Sequence, residues 1–308
     1  MNNSIKAPVR ARFGLISIML SATLWGTAGI FAQVVYNLVE TNPLSIGFFR
    51  LALSVPLLLT FCCATLGRQM FQIARRDLVI MLGLGGVVAA YQVLYLAAIP
   101  QIGVAAATLI TLCTAPVWVA VFAFLLLRER LTARVMGAGS CAIVGTVLLV
   151  GVQPTTEVAP VNVILGIGMA LASALCYALM LLCSRPLSRR YHPLQPLTVS
   201  FTVGAILLFP IAGLSGLVID YPIQGWACLL YLGIIPTAFA YLLYFSGIRY
   251  TSATVASILT LLEPLTATLL AWWLLGERLG TLGLMGAVLL IGAIGLLTME
   301  SLRQHHST

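Results

Sequence analysis

The chain alternates long apolar runs with short polar segments, and the runs have the length of membrane crossings. A helix spanning a hydrocarbon core of ~30 Å needs about 20 apolar residues. Runs of that kind cover approximately residues 13–36, 43–66, 78–98, 103–127, 134–152, 163–184, 195–218, 226–247, 252–275 and 281–299. Two of the joins are inferred from length. Leu78 to Leu127 contains no charged residue, and as one helix it would extend about 75 Å at ~1.5 Å per residue. No bilayer holds that, so the chain folds back once, with Pro100, Gln101 and Gly103 marking the turn. The run from Trp226 to Gly276 breaks in the same way at Arg249, Tyr250, Thr251 and Ser252. The pattern predicts an all-α integral membrane protein of ten transmembrane helices.

Composition removes the competing classes. Of 308 residues, 61% are hydrophobic and 8% are charged, against about 25% charged in a soluble domain. That is too little charge for a soluble enzyme and too much apolar surface for disorder. The net charge of +8 would suit nucleic acid, but the basic residues stand in small groups between uncharged runs, the pattern of topology signals. With the N-terminus in the cytoplasm, fourteen of the 16 Lys and Arg residues fall in cytoplasmic segments. Arg278 lies on the opposite side and Arg50 inside a span. Both termini are expected in the cytoplasm, in a bacterial-type cytoplasmic (inner) membrane, with the lipid bilayer and not nucleic acid as partner. The first apolar run exceeds the ~7–15 residues of a cleaved signal sequence and reads as an uncleaved first span. The seven cysteines form no C-x-x-C, and His192, His305 and His306 lie outside the spans, so no metal or cofactor is expected.

The two halves of the chain resemble each other. Pro116 and Glu129-Arg130-Leu131 recur as Pro264 and Glu277-Arg278-Leu279, both displaced by 148 residues. Gly83, Ala90 and Tyr91 recur as Gly233, Ala240 and Tyr241, and Tyr95 and Ile99 as Tyr244 and Ile248. Residues 13–152 and 163–299 would then be repeats of five helices, joined by the longest loop, Val152–Asn162. Five is odd, so the second copy enters the membrane from the opposite side. Inverted repeats of this kind give outward-open and inward-open states of comparable energy, as in many secondary transporters.

Leu262-Glu263-Pro264-Leu265, followed by Leu274-Leu275-Gly276-Glu277-Arg278-Leu279, resembles a ninth-helix signature of EamA-type transporters in the drug/metabolite transporter (DMT) superfamily. Ala115-Pro116, Leu125 to Leu131 and Phe48-Phe49-Arg50 match other elements of that family, and the resemblance covers about residues 13–299. It implies a transporter of small organic molecules. It also implies a cavity between the two halves, lined by helices three, four, eight and nine with parts of one and six. Ala115 stands where the second half has its acid, so an acidic site would be single.

Glu263 is the leading candidate. It lies about twelve residues from either end of its span, where a carboxylate costs about 2.5–3.5 kcal/mol on an insertion scale and should face protein or a water-filled cavity. There it could bind and release a proton in turn; the alternative is a structural acid serving backbone groups freed by Pro264. Arg50 could bind a substrate carboxylate or pair with Glu263, or else snorkel to headgroups or bond carbonyls. Pro116 and Pro264 read as matched hinge kinks, or as packing kinks. Thr108, Thr111, Ala115 and Trp118 share one helix face, as do Thr260, Glu263, Thr266 and Ala267. With Tyr91, Gln92, Tyr95, Tyr241, Tyr244, Trp25 and Tyr177 they would form an aromatic, weakly polar substrate site; the plainer reading is packing and local hydrogen bonds. Trp272 and Trp273 read as interfacial. Gly137, Cys141 and Gly145, with Gly283 and Ala287, allow close contact either within a monomer or between the copies of a homodimer. The Glu129-Arg130 and Glu277-Arg278 pairs read as helix-end anchors and gate-side ion pairs, not a substrate site.

These features favour a secondary transporter exporting a small organic metabolite, an amino acid or an amphipathic solute or cation, by alternating access, with protons as a candidate coupling ion. The alternative is an uncoupled facilitator or channel-like permease. No H-E-x-x-H, G-x-S-x-G or Walker motif is present, which argues against an enzyme and against direct drive by ATP.

Overall fold

In a computed structural model of the chain, the residues described are 6–127, 137, 140, 141, 144, 145, 148, 160–188, 190–250, 256, 259, 260, 262–278 and 280–292. The elements are all helical: α1 Lys6–Gly26, α2 Ala28–Leu38, α3 Pro43–Leu66, α4 Arg75–Ile102, α5 Val104–Leu127, α6 Pro160–Ser188, α7 Leu194–Leu214, α8 Ile223–Leu232, α9 Ala240–Ile248, α10 Leu262–Leu274 and α11 Thr281–Gly292. A 3₁₀ turn, Gly67–Phe71, comes after α3, and a π-helical segment, Gly233–Phe239, joins α8 to α9. Among the described residues, six stretches are long and apolar enough to cross a membrane, and Val104–Val119 and Thr281–Gly292 are shorter apolar helices. The chain is an all-α, multi-pass membrane protein. Most of the expected span 134–152 and of the loop Val152–Asn162 lies outside the described residues, as do Thr251 and Ser252.

Several expected boundaries move. The turn assigned to Pro100 and Gln101 is made by Gly103 alone, because α4 continues through Pro100 to Ile102. A proline near the end of a helix removes one bond and leaves the chain free to finish the turn. Gly103 then reverses it at φ +80°, a left-handed conformation that suits glycine. The first span breaks at Thr27, whose hydroxyl donates to Leu24 O at 2.7 Å and meets Tyr231 Oη at 2.9 Å. A side chain bonded back to the preceding turn competes with the helix ladder. The seventh span ends at Leu214, ahead of the positive-φ Gly216.

Two compact units make up the chain. The first comprises Met1–Ala89 with Cys183–Thr266, the second Ala90–Leu182 with Ala267–Thr308. Each draws on both halves of the sequence. In the first unit α3 packs against α7 and the π segment, α1 against α9, and α2 against α8. Small residues set these approaches, since dispersion between close helices must serve where lipid tails remove the hydrophobic drive. A Cβ at Gly204 would lie 2.9 Å from Leu51, and one at Gly247 2.8 Å from Gly14 O. The Ser21 hydroxyl fastens α1 to α9 by donating to Ala240 O at 2.8 Å. In the second unit a Cβ at Gly166 would fall 2.6 Å from Gln101. One at Gly145 would fall 2.9 Å from Gly286 O and from Leu290, so Gly145 serves contact within the chain.

Candidate functional site

Pro236 and Thr237 together account for the π segment. Proline has no N–H for the carbonyl four residues back, here Leu232 O. The Thr237 hydroxyl donates to that carbonyl instead, at 2.7 Å. Its hydrogen committed there, Thr237 Oγ1 is left as an acceptor, and Arg50 Nε donates to it at 2.8 Å. Arg50 is 8% exposed and Thr237 is buried. Among the described residues the arginine thus bonds a buried hydroxyl and no backbone carbonyl. Gly233 brings the segment this close: a Cβ there would lie 2.6 Å from Leu53 Cβ and 3.2 Å from Arg50 O. Thr237 does not stand out in the sequence because a threonine in an apolar run normally bonds its own helix. The signal that could have found it is the preceding proline.

Around this point the first unit gathers aromatic rings. Trp25 lies 4.9 Å from Tyr241 and 5.3 Å from Tyr244, ring centre to ring centre, and Phe201 meets Tyr241 edge-on at 5.5 Å. Trp25 Nε1 is buried and finds no acceptor among the described residues. Three of the expected residues, Trp25, Tyr241 and Tyr244, are thus brought together.

The setting of Glu263 differs from the expected one. Thr260 makes a turn, Glu263 N–H bonds Thr260 O at 3.0 Å, and Glu263 and Pro264 fall in the first turn of α10. Pro264 is therefore no mid-helix kink. Proline is well tolerated in a first turn, where its N–H would lack a helical partner anyway, and a carboxylate there is favoured by the helix dipole. Pro116, by contrast, sits inside α5.

The second unit brings together Tyr91 and Tyr177, 5.3 Å between ring centres, and the Ser173 hydroxyl donates to Tyr91 O at 3.0 Å. Tyr95 Oη and Thr108 Oγ1 are 2.9 Å apart and buried. Thr111 donates to Ala170 O at 3.3 Å, so its hydroxyl serves helix packing. The Trp118 and Phe122 ring centres lie 6.5 Å apart, their planes tilted by 33°. Gln92 is 3% exposed, and its Oε1 has no donor among the described residues.

The Glu277-Arg278 pair is not an ion pair at a helix end. Glu277 Oε1 accepts from Val104 N–H at 2.8 Å and Oε2 from Ala105 N–H at 3.0 Å, capping α5. Burial pushes this carboxyl up, and the two amides pull it back. Glu129 and Arg130 lie outside the described residues. Trp272 and Trp273 are exposed. Among the described residues no group of three or more His, Cys, Asp or Glu is placed to hold a metal ion.

The sequence profile of the EamA-like transporter family matches this chain twice, at residues 12–151 and 164–299. An uncharacterized transporter of Archaeoglobus fulgidus is 29% identical over 283 residues, 92% of this chain and 95% of the relative. The uncharacterized transporter YwfM of Bacillus subtilis is 26% identical, covering 94% and 95%. The uncharacterized inner membrane transporter YicL of Salmonella typhimurium is 28% identical, covering 95% and 97%. A solved crystal structure shares the fold with a TM-score of 0.64 at 19% identity, over 94% of this chain and 98% of its own.

Proposed function

The chain belongs to the EamA-like transporter family, a membrane-embedded transporter of small solutes and not an enzyme, and from that premise we propose that it works by alternating access and exports a small organic metabolite. In this reading ten helices form two inverted repeats, 13–152 and 163–299, with both termini in the cytoplasm of a cytoplasmic (inner) membrane. A pair of matched contacts carries it. In one unit Ser21 bonds Ala240 O, and Trp25, four residues on, packs its ring on Tyr241. In the other, Ser173 bonds Tyr91 O, and Tyr177, four residues on, packs its ring on Tyr91. In this reading each repeat's first helix holds the third helix of the other repeat by the same two devices. Matched contacts supply what alternating access needs, two arrangements of similar energy.

The substrate site of this reading is the Trp25, Tyr241 and Tyr244 cluster with Arg50 and Glu263, where rings offer faces and edges and the charged groups fix orientation. Tyr91, Gln92, Tyr95, Tyr177, Thr111, Trp118 and Thr260 are the further candidates, with Pro116 as the hinge. Glu263 is the candidate proton carrier. A second reading, an uncoupled facilitator, is favoured by the place of Glu263 in the first turn of α10, where a carboxylate has a structural use as well.

Flux in proteoliposomes separates them. Uptake and efflux of a panel of amino acids and organic cations are measured with and without an imposed pH gradient, in the native protein and in Glu263→Gln. Accumulation driven by the pH gradient and lost in Glu263→Gln establishes coupling. Flux that tracks the solute gradient and survives the substitution establishes the facilitator.

A further inference from the structure

We propose that the first unit carries a binding site for an anionic glycerophospholipid, with the lipid phosphate on Arg68, Arg75 and Arg76 and an acyl chain along the Phe71 ring. The site does not use the Trp25, Tyr241 and Tyr244 cluster and does not depend on which solute is carried.

The 3₁₀ turn Gly67–Phe71 comes where two span-length stretches meet, Pro43–Phe71 and Arg75–Ile102, so it stands at a membrane surface. Two sets of bonds fix it. Gln195, itself buried, donates through Nε2 to Met70 O at 2.9 Å and to Gln69 O at 3.3 Å, and Cys63 Sγ donates to Met70 Sδ at 3.4 Å. Met70 is thereby drawn in, 8% exposed, while Phe71 beside it is 77% exposed. Further along, Ala74 N–H donates to Tyr191 Oη at 3.1 Å, and that hydroxyl donates to Asp77 Oδ2 at 2.9 Å. Both ends of the segment 69–77 are thus tied to the segment 191–195, which leaves Arg68, Phe71, Arg75 and Arg76 exposed. A ring so open to its surroundings, on a turn at the membrane surface, has lipid as its natural neighbour.

The cations around that ring are uncommitted. Asp77 is the only acid in segments 67–77 and 190–195, and Arg190 and Tyr191 occupy both of its oxygens. No hydrogen bond joins Arg68, Arg75 or Arg76 to any described residue. Each guanidinium presents its donors in a planar fork that matches a phosphate. A lipid phosphodiester brings acceptors to the forks and hydrocarbon to the ring at once. A free phosphate has no use for Phe71. A zwitterionic headgroup would carry an ammonium to a place where no described carboxylate is free to receive it. The segments 39–42 and 215–222, joined where Thr41 Oγ1 and Tyr221 Oη lie 2.6 Å apart, have the opposite character. They carry exposed Glu40 and Asp220 and no Lys or Arg, so the charge that attracts anionic lipid is confined to the other set of loops.

The test reads the unfolding temperature of purified full-length protein in detergent, titrated with phosphatidylglycerol, with phosphatidylcholine and with inorganic phosphate. Phosphatidylglycerol should stabilise at about tenfold lower concentration than phosphatidylcholine. Arg68→Gln, Arg75→Gln and Arg76→Gln should each weaken phosphatidylglycerol binding by about fivefold. Phe71→Ser should weaken it too and leave the response to inorganic phosphate unchanged. Arg12 is the control for position. It is exposed, and its neighbour Phe13 meets Tyr250 edge-on at 6.2 Å, next to Arg249, which meets His192 of the same loops. Arg12→Gln should change phosphatidylglycerol binding by less than about twofold. A loss with Arg12→Gln as large as with Arg68→Gln overturns the proposal in favour of diffuse charge. Equal stabilisation by the two lipids overturns it outright. Inorganic phosphate acting as strongly as phosphatidylglycerol overturns it in favour of an anion site with no lipid. The contrast between the lipids is read in the native protein, so it stands even where a variant fails to fold.

Discussion

Glu277 holds Val104 across 173 residues of sequence, its Oε1 accepting the Val104 N–H at 2.8 Å. With Ala105 bonded to the other oxygen, two first-turn amides of α5 that have no helical partner are satisfied by one side chain. Glu277→Ala should lower stability by about 1–2 kcal/mol, and Glu277→Gln, which keeps one acceptor, by less. Gly103→Ala should add to the damage, because φ is +80° and the new methyl would sit 3.1 Å from the carboxylate. Thermal unfolding of the purified variants ranks them.

Gly233→Ala would place a methyl 2.6 Å from Leu53 Cβ. Neither partner is a flexible chain end, so α3 and the π segment must separate, at a cost of about 1–3 kcal/mol. The Arg50 to Thr237 bond should lengthen with it. A lower unfolding temperature together with weaker solute binding is expected. A stable variant that binds normally would show that the close approach is not needed.

The matched ring contacts predict matched losses. Tyr241→Phe and Tyr91→Phe keep the rings and should stay within ~1 kcal/mol of the native protein, whereas either alanine variant should lose about 3 kcal/mol. Unfolding midpoints in detergent measure this. A large loss at one tyrosine and none at the other would sink the equivalence of the two contacts.

At the loop between α6 and α7, His192 Nε2 meets an Arg249 terminal nitrogen. Burial, and then the Arg249 charge, hold the His192 imidazole below its ordinary value. The unfolded chain thus binds the proton more readily than the folded one. Stability is complete above about pH 6.5, the ordinary value, and is lost as pH falls through the lower folded value. The protection of amides in residues 190–195 and 247–250, corrected for the intrinsic pH dependence of exchange, should fall as pH drops below about 6.5, and His192→Gln should remove that dependence.

Asp77 accepts from Tyr191 Oη at 2.9 Å and from Arg190 at 3.1 Å on both oxygens. The Arg190 side chain is 61% exposed and that of Asp77 6%. An ion pair so open to water is worth little, while a buried carboxylate that loses a donor is expensive. Arg190→Ala should therefore lower the unfolding temperature less than Tyr191→Phe does. The order reverses if the pair, not the phenol, is what holds the loops.

The sequence displayed the helices well because lipid imposes length and apolar content directly on each run. Breaks were harder to see. Thr27, Gly103 and the turn at Thr260 are decided by single hydroxyls, one positive φ and one i-to-i−3 bond, none of which alters hydropathy. Glu263 and Arg50 stood out as charges in apolar runs, and Trp25, Tyr241, Tyr91 and Tyr177 through repetition and position. Thr237 and the role of Glu277 did not stand out, because each acts on a partner more than 170 residues away.

The first compact unit joins Met1–Ala89 to Cys183–Thr266, which sets a schedule for synthesis. When the ribosome reaches Ala89, the helices that α1, α2 and α3 pack against have yet to be made. At about 5–20 residues per second, roughly 10–35 s pass before Thr266 emerges. During that time the faces of α1 and α3 that will receive Gly247 and Gly204, and Arg50 without its Thr237 acceptor, wait in the membrane for their partners. A chain stopped after its first five helices would hold no complete unit of either kind.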